Sequence, residues 1–229
     1  MRVIFLIIST AAFRPIKFPL NTLAPSAAVA HNGFFVMREI VLHNRHPRLI
    51  LDRRTLARAL AHLDASFRFT FADIRTLSPG GLLRQSQQKS ASGSSTPSCV
   101  SAGELSVTFL TDAAMARLHA DFLNDPTATD VITFDGDSAI EHAGDICVSV
   151  DTALAYSAKH DLPFAEELLR YVIHGWLHLA GYDDLQPEHK RRHRAAENRA
   201  LKLLRDACLQ PAFSLRPLTD SPVKTRRLS

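Results

Sequence analysis

At residues 174–184 the chain reads HGWLHLAGYDD. His174 and His178 are four residues apart, so on a helix their side chains share one face, one turn above the other. Gly181 can adopt the left-handed backbone conformation that ends a helix and reverses the chain. This reversal would bring Asp184 back toward the two imidazole rings. The spacing therefore predicts a metal site made of His174, His178 and Asp184.

Two imidazoles and one carboxylate form a three-ligand site typical of zinc, in which a fourth position stays open for water or substrate. That open position distinguishes a catalytic metal site from a structural one. A bare HxxxH pair is weak evidence, because two histidines on a helix are often surface residues or hydrogen-bonded core residues. The glycine and the acid at fixed offsets argue against coincidence.

The same spacing occurs in metzincin-type peptidases, whose HExxHxxGxxH motif uses its glutamate as the general base. In this chain that position is Gly175, which has no side chain to accept a proton. The stretch more closely resembles the HGxLHLxGYDH signature of the YbeY family of bacterial metal-dependent endoribonucleases. Its departure is the last position, where the family usually has a third histidine and this chain has Asp184. Because carboxylate oxygen also binds zinc, Asp184 remains the predicted third ligand.

Two other segments resemble the same family. Residues 129–134, TDVITF, are similar to its PTDVLSF segment, and residues 144–146 match its GDI segment. The family usually carries an arginine some residues before the first of these segments. Counting back from Thr129, that place holds Leu123, so the role of the arginine does not carry over to this chain.

The resemblance implies a single-strand-specific, metal-dependent endoribonuclease that matures the 3′ end of 16S ribosomal RNA and acts in ribosome quality control. It also implies one Zn²⁺ or another divalent transition metal per chain. The implied partners are RNA and the small ribosomal subunit, with no membrane and a cytoplasmic location. The general base stays open. Asp183, beside the predicted ligands, and Asp145 are weak candidates, Asp130 is a weaker one, and Asp183 is equally well explained as a structural carboxylate near the metal.

Two other functions remain alternatives. A zinc-dependent metallopeptidase fits the ligand spacing, but Gly175 removes its general base. A non-catalytic, metal-stabilised ribosome-assembly factor is the second alternative, because Leu123 replaces the family arginine.

Composition is compatible with these functions. The 229 residues are 46% hydrophobic, which allows one globular domain with a core. The formal net charge of +4 suits a polyanionic partner such as RNA without requiring one. The three cysteines form no CxxC pair, so neither a cysteine zinc site nor a disulfide framework is indicated, and a reducing compartment is the simpler assumption.

The predicted domain covers residues 37–208. Residues 1–36 contain an apolar run that resembles a secretory signal but is too short to span a membrane and continues into charged residues. We hypothesise that translation begins at Met37 and that this segment is a non-native or disordered extension. Residues 78–103, rich in Ser, Gly and Gln, are predicted to be a flexible insertion, and residues 209–229 an unstructured tail.

The predicted order is strand, helix, strand, helix, strand, strand, helix, helix, helix, which indicates a mixed α/β (α+β) sheet layered with helices. The predicted strands cover 39–43, 104–111, 129–134 and 144–150. The predicted helices cover 51–63, 112–119 and 151–160, a central helix starting near 161–163, and 187–207. The resemblance implies a small, mostly four-stranded sheet on which a central metal-binding helix packs, with a zincin-like site.

Three segments receive more specific expectations. The alternating pattern of Phe67, Phe69 and Phe71 predicts either a strand or a hydrophobic clamp under the first helix. Residues 135–137, DGD, are predicted to be a solvated acidic loop. In the last helix, Ala196, Ala200, Leu203 and Leu204 supply the predicted inner face, whereas His189 and His193 are placed on a solvated basic face with RNA contact as a minor alternative.

Overall fold

The computed structural model describes residues 38–69 and 101–217. The predicted extension at residues 1–36, Phe71, most of the insertion at 78–103 and the end of the predicted tail lie outside these ranges. The strands are β1 (Arg38–Asn44), β2 (Leu49–Leu51), β3 (Gly103–Leu110), β4 (Val131–Asp137), β5 (His142–Ser149) and β6 (Phe213–Leu215). The helices are α1 (Arg53–Ser66), α2 (Asp112–Leu123), α3 (Val150–His160), α4 (Phe164–Leu179) and α5 (Pro187–Asp206).

Four of the strands form one sheet in the order β1-β3-β5-β4. β1, β3 and β5 are parallel, and β4 runs antiparallel to β5. Helices connect the parallel strands, as parallel pairing requires. The predicted mixed α/β fold with a four-stranded sheet and a layer of helices is therefore confirmed.

Helix α4 occupies the core. It contacts β4, β5, α3 and α5, and from Glu167 to His178 every residue except Arg170 is buried. The sequence predicts this placement, because the helix is apolar around much of its circumference. None of the helices in the described residues has both the length and the apolar character needed to cross a membrane.

Helix α1 packs on the same core. Asp52 caps it by accepting a hydrogen bond from the Thr55 backbone N–H. Phe67 ends the helix, and the rings of Phe67 and Phe69 lie 5.3 and 5.4 Å from the ring of Trp176 in α4. The clamp interpretation of these phenylalanines is therefore the correct one for the two that the structure describes.

Two predictions about irregular segments are wrong. The acidic loop at residues 135–137 is the end of β4, where Asp135 and Asp137 pair with Gly144 and His142 of β5. The predicted unstructured tail contains β6, which pairs antiparallel with β2. Phe213 stabilises this strand because its buried ring packs 5.9 Å from the ring of Phe109.

Candidate metal centre

The end of α4 is built as the sequence predicts. Gly181 has φ 95°, a left-handed conformation that favours glycine. Its backbone N–H donates to the His178 carbonyl at 2.9 Å, and the Tyr182 N–H donates to the Leu177 carbonyl at 3.0 Å. These bonds satisfy carbonyls at the helix end and reverse the chain. The turn therefore carries Asp184 back to the level of His178.

The rings of His174 and His178 meet edge to face, with their centroids 4.5 Å apart and an interplanar angle of 85°. They are 8% and 5% exposed, and their Nε2 atoms are 2.9 Å apart. His174 Nδ1 lies 2.9 Å from Glu197 Oε1, and His178 Nδ1 lies 2.9 Å from the Tyr182 carbonyl oxygen. A carboxylate and a carbonyl only accept hydrogen bonds, so each Nδ1 donates, and when both rings are neutral each Nε2 keeps a lone pair for a ligand. This is the tautomer that metal-binding histidines adopt, and a shared cation would relieve the repulsion between the two lone pairs.

The imidazole of His178 stays neutral at physiological pH. Burial, and then the neighbouring charge of His174, lower the pKa of His178 to about 3. A neutral imidazole is the form that binds metal, so His178 is ready to bind across the physiological pH range.

The side chain of Asp184 is buried beside this pair. Its Oδ1 lies 4.0 Å from His178 Nε2 and has no hydrogen-bond partner among the described residues. Burial raises the pKa of the Asp184 carboxyl. An unpaired buried carboxylate oxygen is costly, and a cation would compensate it. The position fits the predicted role of Asp184 as third ligand, which stays a prediction.

A third histidine joins the cluster, and the sequence-based placement of it is wrong. His193 of α5 is 1% exposed rather than solvated. Its ring centroid lies 4.2 Å from that of His174 and 4.5 Å from that of His178. One ring nitrogen from each of the three histidines lies within 4.8 Å of the others, a group that could hold a metal ion. His189, the other histidine predicted to lie on the basic face of α5, is half-buried, and its Nδ1 lies 3.1 Å from Asp183 Oδ2.

Glu197 fixes the orientation of His174, and sequence reasoning missed it. Arg170 and Arg194 each donate to its Oε2, at 3.1 and 3.0 Å. Burial opposes ionisation of Glu197, but the hydrogen bond and charge of His174 together with the two arginines outweigh it. The pKa of the carboxyl is consequently below its ordinary value. A carboxylate behind a histidine nitrogen is the usual outer partner of a metal-binding imidazole.

The two weak candidates for a general base are engaged elsewhere. Asp183 is buried, and its Oδ1 accepts a hydrogen bond from the Leu185 N–H at 2.9 Å, so it shapes the turn after α4.

The second candidate, Asp145, contacts a histidine outside the metal centre, with its Oδ2 3.0 Å from His142 Nε2. Its neighbour Ile146 faces Gly175 of α4, and alternate strand residues point to opposite faces of the sheet. Asp145 therefore lies on the face of the sheet away from the histidines. The weaker candidate Asp130 is buried, and its Oδ1 accepts from the Val131 N–H at 3.1 Å.

Comparison with known proteins identifies the family of this chain. The family model described as Endoribonuclease YbeY matches residues 81–205, more than half of the chain. The chain is 38% identical over 104 residues to Endoribonuclease YbeY of Porphyromonas gingivalis, covering 45% of this chain and 69% of the relative. It is 39% identical over 116 residues to the Chlamydia abortus protein of the same name, covering 47% and 73%.

For Endoribonuclease YbeY of Protochlamydia amoebophila the identity is 41% over 87 residues, covering 36% of this chain and 58% of the relative. The range that the family model matches includes the HGWLHLAGYDD stretch, where α4 ends at the turn that bears Asp184. By these matches the chain belongs to the Endoribonuclease YbeY family.

Proposed function

We propose that this protein is a metal-dependent endoribonuclease that hydrolyses phosphodiester bonds in single-stranded RNA. The observation that carries the proposal is the pair of buried imidazoles whose Nε2 atoms lie 2.9 Å apart while each Nδ1 is held by a fixed acceptor. Family membership supports the reaction class, because the relatives are named endoribonucleases.

The proposed ligands are His174, His178 and Asp184, and the proposed ion is one Zn²⁺ per chain. Nitrogen and carboxylate donors in a small buried site suit zinc. Such an ion supplies Lewis-acid activation of water and of the scissile phosphate. Glu197 and the Tyr182 carbonyl hold the protons at the outer nitrogens, which fixes both rings for binding.

The N-terminal part of α5 supplies positive charge next to this site. Burial raises the pKa of the Asp184 carboxyl, and the charges of His174 and then Lys190 partly offset this rise. Lys190, Arg191 and Arg194 are exposed. Exposed cations of this kind attract nucleic-acid phosphates. We assign to these three residues the positioning of the RNA backbone at the metal centre.

The biological role that we propose is maturation of the 3′ end of 16S ribosomal RNA and ribosome quality control in the cytoplasm, with the small ribosomal subunit as partner. The resemblance of the HGWLHLAGYDD stretch to the family signature supports this role.

The structure also bears on the alternative metallopeptidase. A side chain at position 175 would point into the sheet, because a Cβ built on Gly175 lies 2.5 Å from Ile146 Cγ2. A glutamate there has neither the room nor the direction to act as general base. This chain therefore offers no group at the place where that peptidase motif needs one.

The proposal is tested with the purified full chain, single-stranded RNA, duplex RNA and casein as substrates, with Zn²⁺ or with a chelator. We expect cleavage of single-stranded RNA that the chelator and His178→Ala both abolish. His160→Ala, an exposed histidine on α3, is the matched control and keeps wild-type activity. Zinc-dependent cleavage of casein instead of RNA identifies a peptidase. A protein that cuts nothing but binds small ribosomal subunits identifies an assembly factor.

A further inference from the structure

His193 is buried without the partner that a buried imidazole needs. Neither of its ring nitrogens has a hydrogen-bond partner among the described residues. The carboxylate oxygen of Glu197 lies 4.0 Å from His193 Nε2, beyond hydrogen-bond distance, and is already bonded to His174. Leaving a buried polar group unpaired destabilises the folded state. The rings of the two histidines of the predicted metal site lie beside that of His193, with centroids 4.2 and 4.5 Å away.

The distances are compatible with a shared ion. In a tetrahedral zinc site with Zn–N bonds of about 2.0–2.1 Å, ligand nitrogens lie roughly 3.3 Å apart. The three ring nitrogens here lie within 4.8 Å of one another, and the closest two are 2.9 Å apart. Rotations of the rings that shorten the longer separations and widen the shortest one would bring this group to ligand spacing.

From these contacts we infer that His193 is a metal ligand in this protein. It supplies from α5 the third imidazole that the family signature usually has at the position of Asp184. The metal would then be held by His174, His178 and His193, with the Asp184 carboxylate as a fourth group beside it. Because the ligands come from α4 and α5, metal binding would fasten these two helices together. The inference rests on the proposed metal centre but not on the proposed RNA reaction.

The alternative is that His193 only fills space, since its ring stacks on that of His174 with an interplanar angle of 23°. His193→Phe separates the two, because phenylalanine keeps a ring but offers no ligand atom. The full chain is titrated with Co²⁺, and binding is followed by visible absorption and by competition with a chelating dye. We expect His193→Phe to bind Co²⁺ more than about 100-fold more weakly, which exceeds the about 10–100-fold loss typical of outer contacts.

A second variant guards against loss through misfolding. Adding Asp184→His to His193→Phe restores the three-histidine set of the family signature, and we expect at least a tenfold recovery of Co²⁺ affinity (about 1.4 kcal/mol). Circular dichroism checks the fold of both variants. Wild-type affinity and an unchanged spectrum in His193→Phe overturn the inference. A loss that Asp184→His does not reverse also overturns it, because packing then explains the loss.

These readouts are independent of catalysis. If His193→Phe loses Co²⁺ while the wild-type protein cuts no RNA, the ligand assignment holds and the endoribonuclease proposal fails. If the wild type cuts RNA and His193→Phe binds Co²⁺ normally, only the ligand assignment fails.

Discussion

Glu197 Oε1 accepts a hydrogen bond from His174 Nδ1 at 2.9 Å, across the contact between α5 and α4. The other carboxylate oxygen is fixed by Arg170 and Arg194. The orientation of a predicted ligand in one helix is thus set by a carboxylate in the next helix. His178 is oriented differently, by the backbone carbonyl of Tyr182 in the turn that follows its own helix.

Removing the charge of Glu197 should weaken metal binding. In Glu197→Gln the acceptor at His174 Nδ1 loses its negative charge, and the two arginines lose their common partner. We expect metal affinity to fall about 10–100-fold, the usual cost of losing an outer carboxylate. Competition of Zn²⁺ between the protein and a chelating dye measures this. Glu188→Gln is the control, because Glu188 is an exposed residue of the same helix paired with Arg192. Equal losses in both variants would refute the role of Glu197.

Removing the metal should lower stability. An ion that binds only the folded chain stabilises it by about 4 kcal/mol when its concentration is about 1,000 times Kd. We therefore expect a lower Tm after chelation and recovery when Zn²⁺ is returned, both measured by scanning calorimetry. In His178→Ala the Tm should no longer respond to chelator. A response of equal size in that variant would mean that the stabilising ion binds elsewhere.

The sequence predicts α4 and its turn because their signals are local. His174, His178 and the apolar residues around them lie within a few turns of α4, and Gly181 follows just after its end. The directions of the side chains follow from helix geometry alone. The structure places these residues accordingly, with Asp184 returning to within 4.0 Å of His178.

His193 and Glu197 were missed because their roles depend on which face of α5 meets α4. The signal was nevertheless present in the spacing. His193 lies three residues before Ala196 and seven before Ala200, both of which belong to the predicted inner face. Extending that face by one turn places His193 inside the protein. The basic residues next to His193 in the sequence favour a solvated face instead, and that prediction is wrong.

The pairing of β2 with β6 could not be predicted in this way. Each strand has three residues, too few to show an alternating pattern, and more than 150 residues separate them. Whether such short segments form strands depends on long-range contacts, here the packing of Phe213 on Phe109.

The pair His142–Asp145 should make stability depend on pH. The hydrogen bond that His142 Nε2 donates to the Asp145 carboxylate raises the pKa of His142 above its ordinary value of 6.5, although burial opposes this. A histidine whose pKa is higher in the folded state contributes stability that is fully present below pH 6.5 and is lost as the pH rises through the folded-state pKa. The contribution is small, about 0.2–1 kcal/mol, because the pair is partly exposed.

Asp145→Asn should reduce this part of the pH dependence while leaving metal affinity unchanged. Urea unfolding between about pH 5.5 and 8.5 measures the first, and dye competition measures the second. Metal affinity that falls as far as in Glu197→Gln would instead place Asp145 in the metal centre.

Gly175 is required by packing, not by the chemistry of the site. A Cβ at this position would lie 2.5 Å from Ile146 Cγ2 and 3.0 Å from Val131 Cγ1. Alanine at a helix interior normally gains about 1 kcal/mol over glycine, whereas overpacking a rigid core costs about 1–3 kcal/mol. Both contacted side chains are β-branched and buried, so they yield little and the clash should dominate.

We expect Gly175→Ala to lower the free energy of unfolding by about 1–2 kcal/mol, measured by urea denaturation of the metal-loaded protein. The matched test is a double-mutant cycle with Ile146→Ala, which removes the nearest contacted methyl group. The cost of Gly175→Ala should shrink in that background, because the added Cβ then has room. A cost that is the same in both backgrounds would show that the sheet contact is not its cause. A gain in stability would show that the core yields, and it would also weaken the steric argument against a glutamate at this position.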